Sequence, residues 1–198
     1  MKPTRLILAS SSPRRQELIR LLGLAVPIEI QSSDADETVP SDWTPDRIVE
    51  QLALRKAHAV RSLQLDVSPA AVILGADTIV VQDGQVLGKP QDAADAIGML
   101  ERLQGRSHDV YSGIALVDTS GRELAKHAVT RVYMRSLDPA RIERYVASGE
   151  PLDKAGAYGI QGAAAAFVER IDGCYFNVVG LPVSLAADML QQFGMDTV

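Results

Sequence analysis

An apolar run that leads into three serines and two arginines is the part of the sequence best suited to bind an anion. Residues 5–9 have strand character, and Ser12 and Pro13 suit the cap and first position of a following helix, with the Ser12 hydroxyl accepting from a free backbone N–H. A helix N-terminus carries partial positive charge, and Arg14 and Arg15 add two guanidinium groups. The pattern predicts an anion site at the end of a strand, and we interpret the anion as the phosphate tail of a nucleotide.

A lysine lies in the apolar stripe of the helix predicted over about residues 45–63. At about 100° per residue, Lys56 falls at the centre of this stripe. The apolar members are Ile48, Val49, Leu52, Ala59, Val60 and Leu63. Since burial of an unpaired ammonium is costly, two interpretations stay open: a long stem that extends to water, or a cation directed into a cleft.

An aspartate interrupts the otherwise almost wholly apolar run at residues 70–81. Aspartate is rarely buried unpaired, so Asp77 either caps a bend between two strands or is a functional carboxylate that holds a metal or takes a proton. The run continues apolar after Thr78, which favours a strand and therefore the functional interpretation. Gly75, just before the aspartate, permits a kink or close backbone approach.

Two glycine-containing segments follow. Residues 84–89 superficially resemble a phosphate-binding P-loop, but the glycine spacing is too short and Pro90 stands where Ser or Thr is needed. Lys89 is therefore either a solvated loop lysine or a phosphate contact. Residues 149–162 are punctuated by glycine and include Gln161, and such a segment lets the backbone approach a ligand closely.

The composition argues against several classes of protein. The 198 residues are 46% hydrophobic and 23% charged, as in ordinary globular proteins, and the net charge of −5 disfavours nucleic-acid binding. A single cysteine excludes an intrachain disulfide, and the histidines show no zinc-binding spacing. No apolar segment reaches the roughly 18 residues of a membrane helix, and no signal-peptide pattern is present. We expect a cytoplasmic protein that binds neither nucleic acid nor membrane.

A set of cations and carboxylates remains after these exclusions. Cations bind phosphates and carboxylates hold hard metal ions, so the set is typical of phosphoryl or nucleotidyl hydrolysis. The cations are Arg14, Arg15, Lys56, Lys89 and Lys154, and the carboxylates are Asp36, Glu37, Asp77 and Asp153.

The secondary-structure pattern predicts an α/β protein with a mixed sheet. Strands and helices alternate early, whereas two long strands at about 107–118 and 122–134 form an antiparallel hairpin. A last helix begins at Pro182. With no repeat or long linker, we expect one domain over residues 1–198.

Taken together, these motifs resemble the Maf family of nucleoside-triphosphate pyrophosphatases. In chain order they are SSSPRR at 10–15, Glu37, Lys56 in LALRKA, GADTIV at 75–80, GKP at 88–90, Ser112 and Gly113, GEPLDKAGAYGIQG at 149–162, and GCYFNVVGLP at 173–182. The resemblance implies an elongated mixed α/β fold like that of inosine-triphosphate pyrophosphatases, with two lobes around a central cleft, usually as a homodimer. It also implies metal-dependent hydrolysis of a nucleoside triphosphate to the monophosphate and pyrophosphate.

The resemblance also implies roles for individual residues. Asp77 matches the catalytic proton acceptor, and Arg14, Thr78 and Gln161 match positions that determine substrate choice. The phosphate-binding set is then Ser10, Arg14, Arg15, Lys56 and Lys89, and the ligands for Mg, Mn or Co are Glu37 and Asp77. Whether Asp77 acts as base or as metal ligand stays open.

The form of residues 149–162 resembles the subfamily that acts on dTTP and UTP. Two alternatives stay open: a 7-methyl-GTP pyrophosphatase, and a non-catalytic nucleotide-binding regulator of septum formation. Carboxylates among the cations argue against the regulator, because phosphate binding alone would be stronger without them.

Overall fold

The structure is a computed structural model that describes residues 2–64 and 70–197. The strands are β1 (Arg5–Ala9), β2 (Ile28–Ile30), β3 (Ala71–Gln82), β4 (Gln85–Leu87), β5 (Ser107–Asp118), β6 (Glu123–Met134) and β7 (Val168–Asp172). The α-helices are α1 (Pro13–Arg20), α2 (Pro45–Ser62), α3 (Ala93–Leu103), α4 (Pro139–Ala147), α5 (Tyr175–Val179) and α6 (Val183–Gln192). Short 3-10 helices cover Glu150–Asp153, Ala155–Ala157 and Ala163–Phe167.

The strands form one mixed sheet in the order β2-β1-β3-β5-β6-β7, with β4 paired to β3. Strand β1 is parallel to both β2 and β3, whereas the β3–β4 and β6–β7 pairs are antiparallel. Ala9 at the end of β1 pairs with Gly75 of β3. Because parallel strands point the same way, the residues that follow β1 lie beside the part of β3 that contains Asp77. The mixed α/β class predicted from the sequence is confirmed.

The chain divides into two compact units, and strands β3, β5 and β6 contribute residues to both. Unit 1 comprises Met1–Asp77, Ser112–Ala128 and Gly180–Val198. Unit 2 comprises Thr78–Tyr111 and Val129–Val179. Each unit therefore takes segments from distant parts of the sequence.

The core of unit 1 forms where α2 packs on the sheet. A buried cluster is formed by Ile7, Ala9, Ala57, Val60, Ala71, Ile73 and Val117. Leu63, predicted to belong to the apolar stripe of α2, is 64% exposed, because the helix ends at Ser62. Ala53 and Ala57 are fully buried, whereas Ala59 is half-buried.

The core of unit 2 is apolar but contains buried polar residues, among them Asn177 and His108. Its largest buried aliphatic residues include Leu100, Leu103 and Ile142. Asn177 Nδ2 donates to the carbonyl oxygen of Val110 at 2.9 Å. His108 lies with its Nε2 atom 2.7 Å from the hydroxyl oxygen of Tyr158. Such hydrogen bonds offset the cost of burying polar groups.

In residues 2–64 and 70–197, no helix has the length and apolar composition needed to cross a membrane.

Candidate active site

Lys56 lies between two carboxylates in unit 1. Its Nζ atom donates to Asp77 Oδ1 at 2.6 Å and is 2.7 Å from Glu37 Oε1. The side chains of Lys56 and Asp77 are each 12% exposed, whereas that of Glu37 is 60% exposed. The ammonium is thus paired with negative charge, and the interpretation of a stem that extends to bulk water is wrong.

Strand β3 and helix α2 bring this lysine and aspartate together. Strand β3 runs without a break through Asp77, so the alternative of a bend between two strands is wrong. A Cβ atom at Gly75 would lie 2.1 Å from the Ala53 carbonyl oxygen. The backbone of α2 therefore rests directly on β3 at a position where only glycine fits. Lys56, one helical turn beyond Ala53, can then reach Asp77.

Glu37 lies in the irregular segment that precedes α2. Arg55 of α2 fixes the residues on either side of Glu37. Arg55 Nη1 donates to the carbonyl oxygens of Asp36 at 3.1 Å and Thr38 at 2.6 Å, on either side of Glu37. The backbone N–H of Thr38 donates to Asp36 Oδ1 at 2.9 Å and holds the pKa of Asp36 below its usual value. The Arg55 guanidinium also lies 5.6 Å from the ring centre of Trp43. These contacts fix the backbone that presents Glu37.

Helix α1 brings Arg15 into the same electrostatic environment. Arg15 Nε donates to the carbonyl oxygen of Gly180 at 2.8 Å. Burial lowers the pKa of the Arg15 guanidinium, the negative charges of Asp77 and Glu37 oppose that shift, and the positive charge of Arg14 adds to it. Since arginine keeps its proton in proteins, Arg15 supplies a permanent positive charge near both carboxylates.

The serine segment between β1 and α1 is ordered differently from the prediction. Ser12 occupies the N-cap position of α1 with extended backbone, but its side chain makes no capping hydrogen bond to any described residue. Instead, the backbone N–H of Ser12 donates to Ser10 Oγ at 3.2 Å, and Ser10 is only 6% exposed. The prediction that the Ser12 hydroxyl caps the helix is therefore wrong, and Ser10 orders this turn.

Glu37 and Asp77 supply the kind of oxygen ligand that Mg²⁺ and Mn²⁺ prefer. Within the described residues, no group of three or more His, Cys, Asp or Glu side chains is placed to hold a metal ion. Magnesium is often held by one or two carboxylates together with substrate phosphates and water. Glu37 and Asp77, which both contact the Lys56 ammonium, therefore have the number and type of ligand groups that suit such an ion.

Three predicted site residues belong to unit 2. Thr78 is half-buried on β3 and directly follows Asp77, and Lys89 is exposed after β4. Gln161 is exposed in the turn before the 3-10 helix Ala163–Phe167. Their roles stay predictions.

Lys154, counted among the candidate cations, is engaged inside its own segment. Its Nζ atom donates to the carbonyl oxygen of Glu150 at 2.5 Å and to Asp153 Oδ1 at 2.7 Å. These contacts order the glycine-rich segment, and a role of Lys154 in phosphate binding stays a prediction.

Comparison with known proteins identifies the family. Residues 5–193 match the family model described as Maf-like protein. The chain belongs to the Maf family. It is 51% identical over 190 residues to the "dTTP/UTP pyrophosphatase" of Pelotomaculum thermopropionicum, covering 96% of each chain. It is 54% identical over 189 residues to the protein of the same name from Symbiobacterium thermophilum, covering 96% of this chain and 94% of the relative.

Two solved structures resemble this Maf chain over about two thirds of its length. One is a nucleoside-triphosphatase, dITP/XTP pyrophosphatase, from Mycobacterium abscessus, with TM-score 0.38, 21% identity and coverage of 67% of this chain and 75% of that one. The other is the Ham1 protein of Staphylococcus aureus, with TM-score 0.44, 13% identity and coverage of 66% and 71%.

Several residues that order this Maf site were not singled out from the sequence. Arg55 and Trp43 support the Glu37 segment, and the Gly180 carbonyl holds Arg15. The single tryptophan, which lies just before the start of a helix, was a sequence signal that could have indicated Trp43 and Arg55. A backbone carbonyl leaves no signal in the sequence, so the role of Gly180 required the structure.

Proposed function

We propose that this chain hydrolyses nucleoside triphosphates, dTTP and UTP above all, to the monophosphate and pyrophosphate. The observation that carries the proposal is the ion-paired Lys56 with Asp77 and Glu37 beside Arg15. This cluster occurs in a chain that shares about half of its residues with proteins named dTTP/UTP pyrophosphatase, and the similarity extends over nearly the full length of the chain.

In the proposed reaction, Asp77 acts as the general base. The Lys56 ammonium orients its carboxylate, which takes a proton from a water that attacks the α-phosphorus. The new bond joins the water oxygen to the α-phosphorus, and the bond to the oxygen bridging the α- and β-phosphorus breaks as pyrophosphate leaves. Arg14, Arg15 and Lys56 bind the phosphate oxygens and stabilise the charge on the leaving group. Ser10 and Lys89 are proposed as further phosphate contacts.

Glu37 and Asp77 would hold a divalent Mg, Mn or Co ion. When bound, such an ion neutralises phosphate charge and lowers the pKa of a coordinated water. The Lys56 ammonium lies within hydrogen-bonding distance of one oxygen of each carboxylate. Its positive charge offsets the repulsion between the two like-charged carboxylates and keeps them close together.

Base selection is assigned to Gln161, with Thr78 and Arg14 as further determinants of substrate choice. An amide side chain has both a donor and an acceptor, which suits the N3–H and carbonyl edge of thymine or uracil. A site that pairs with this edge rejects bases that leave its polar groups unpaired. We further propose a homodimer located in the cytoplasm.

A panel of nucleoside triphosphates assayed for pyrophosphate release with Mg²⁺, Mn²⁺ and Co²⁺ tests the proposal. We expect hydrolysis of dTTP and UTP and little of GTP. The Asp77→Asn variant should lose about 10²–10⁴-fold in kcat while it still binds nucleotide. Preferred hydrolysis of 7-methyl-GTP would move the chain to the sister activity. Tight nucleotide binding without hydrolysis would indicate a regulator.

A further inference from the structure

A glutamate in unit 2 is bound to the segment that carries Gln161. Glu150 Oε2 accepts from the backbone N–H of Ala163 at 3.1 Å, and Glu150 Oε1 accepts from the Tyr145 hydroxyl at 3.1 Å. Glu150 is half-buried, at the start of the 3-10 helix Glu150–Asp153. One carboxylate therefore links α4, which contains Tyr145, to the backbone just after Gln161.

Gly162 shows how closely this carboxylate packs on the segment. A Cβ atom at Gly162 would lie 1.9 Å from Glu150 Oε1 and 2.5 Å from its Cδ atom. The φ angle of Gly162 is −95°, which residues with side chains adopt readily. A side chain at position 162 would therefore displace the Glu150 carboxylate from its present contacts, although the φ angle itself would accept one.

The other end of the same turn packs on the side chain of Lys154. A Cβ atom at Gly159 would lie 2.7 Å from Lys154 Cε. The Lys154 ammonium is held by the Glu150 carbonyl oxygen and by Asp153. Residues 159 and 162, on either side of Gln161, therefore both contact side chains from residues 150–154.

We propose that Glu150 is a positioning residue for substrate selection, acting through the backbone of residues 162–163 to fix Gln161. The inference rests on the proposed function, because it takes Gln161 as the base-selecting side chain. Removing the carboxylate leaves the Ala163 N–H and the Tyr145 hydroxyl without this acceptor and opens space under Gly162. Gln161 should then sample more conformations and recognise the base less well.

The first test is the kinetics of Glu150→Ala. We expect KM for the two best substrates of the wild-type panel to rise about tenfold, and discrimination against GTP to fall. We expect kcat to change less than about threefold, since the carboxylate contacts of Glu150 described above are with Tyr145 and Ala163, not with Lys56 or Asp77. Glu150→Gln should restore KM, because its amide oxygen can accept from Ala163 and its NH₂ group can donate to Tyr145. Exposed Glu143 provides a matched control, and Glu143→Ala should behave as wild type.

The second test combines Glu150→Ala with Gln161→Ala. If Glu150 acts through Gln161, the double variant should be no worse than Gln161→Ala alone in KM and in discrimination. Additive losses would overturn the proposal. An unchanged KM and unchanged discrimination in Glu150→Ala would also overturn it.

A third measurement is independent of the substrate. Gly162→Ala should lower Tm in the wild-type background but much less in the Glu150→Ala background, where the clashing carboxylate is gone. Equal losses in both backgrounds would contradict the packing on which the inference depends. If the wild-type chain fails to hydrolyse dTTP or UTP, that result instead counts against the proposed function. The Glu150 variants would then be compared on the triphosphate that the wild-type chain does hydrolyse.

Discussion

Lys56 carries one positive charge against two carboxylates, so this small cluster keeps a net negative charge before the arginines are counted. Its members come from three places in the sequence: Glu37 from an irregular segment, Lys56 from α2 and Asp77 from β3. With Lys56 and Asp77 each 12% exposed, their interaction is screened less than that of a surface pair. Lys56 should therefore matter for both folding and catalysis.

Replacing this ammonium with an uncharged side chain of similar length tests that expectation. In Lys56→Met, Asp77 and Glu37 lose their shared counter-charge, and we expect Tm to fall and kcat/KM for dTTP to drop by at least about 100-fold. Thermal unfolding and steady-state kinetics at pH 7 measure both effects. Lys126→Met, at an exposed position of unit 1, is the control and should change neither by much. A variant at position 56 with wild-type kcat/KM would remove Lys56 from the mechanism.

His108 is a second titratable residue with a measurable consequence, here for stability alone. It is 3% exposed, and burial lowers its pKa from 6.5 to about 4. Between these two pH values the unfolded chain binds a proton at His108 that the folded chain does not bind. The stability that depends on the neutral imidazole is thus fully present above pH 6.5 and is lost as the pH falls toward 4.

We expect the free energy of unfolding to lose about 3 kcal/mol from this residue between pH 6.5 and pH 4, at about 1.4 kcal/mol per pH unit. Urea unfolding across that range measures the slope. His108→Gln retains a group that can hydrogen-bond to the Tyr158 hydroxyl and does not titrate, so its slope should be shallower. Identical slopes in the two proteins would show that His108 does not carry this proton linkage.

At the scale of elements, helix α2 is held against the sheet by two points of backbone contact. A Cβ atom would lie 2.1 Å from the Ala53 carbonyl oxygen if placed at Gly75, and 2.3 Å from the Val49 carbonyl oxygen if placed at Gly113. Both glycines thus let strands approach the helix backbone more closely than side chains allow. The distance between α2 and the sheet also sets the reach of Lys56.

The Gly75→Ala variant should therefore lose stability and activity together. Overpacking typically costs about 1–3 kcal/mol, and displacement of α2 would lengthen the distance from Lys56 Nζ to Asp77. The matched control is Gly98→Ala in the middle of α3, where an added Cβ meets no described atom within 4 Å. The free energy of unfolding of that control should rise by about 0.5–1 kcal/mol, because alanine has a higher helix propensity than glycine, and its activity should stay unchanged. Calorimetry and the dTTP assay distinguish the two outcomes.

The regular elements were largely predictable, because their hydrophobic periods, caps and turns are local signals. An Asp-Gly pair typical of tight hairpin turns stands at Asp83 and Gly84, just before β4, and Asp92 caps α3 by accepting from the N–H of Asp95. The resemblance assigned Glu37 and Lys56 to one site, but their ion pair was not predictable, since residue types in an irregular segment do not reveal which side chain meets a distant lysine. Nor did the sequence reveal the role of Glu150, because its contacts with Tyr145 and Ala163 depend on the path of the backbone.

At the scale of the whole molecule, a net charge of −5 surrounds a site that must bind a polyanion. The local cations of the site act over a few ångströms, whereas the overall charge acts on extended partners that cover many residues. A compact triphosphate and a long nucleic acid should therefore be distinguished by size as well as by chemistry.

We expect inorganic tripolyphosphate to inhibit dTTP hydrolysis competitively, and duplex DNA at the same phosphate concentration to leave the rate unchanged. The arginine and lysine side chains can bind the small anion, while the net negative charge repels the duplex. Initial rates at low salt, where electrostatic effects are largest, provide the comparison. Inhibition by DNA comparable to that by tripolyphosphate would reveal a basic surface that net charge does not indicate.

The only tryptophan of the chain lies against the same arginine that braces the Glu37 segment. The guanidinium groups of Arg47 and Arg55 lie 4.6 Å and 5.6 Å from its ring centre. Indole emission depends on nearby charge, so any rearrangement around Glu37 should change the fluorescence of Trp43. The unlabelled protein thus has a built-in optical reporter, and stopped-flow mixing with nucleotide could time events at this segment before any product is released.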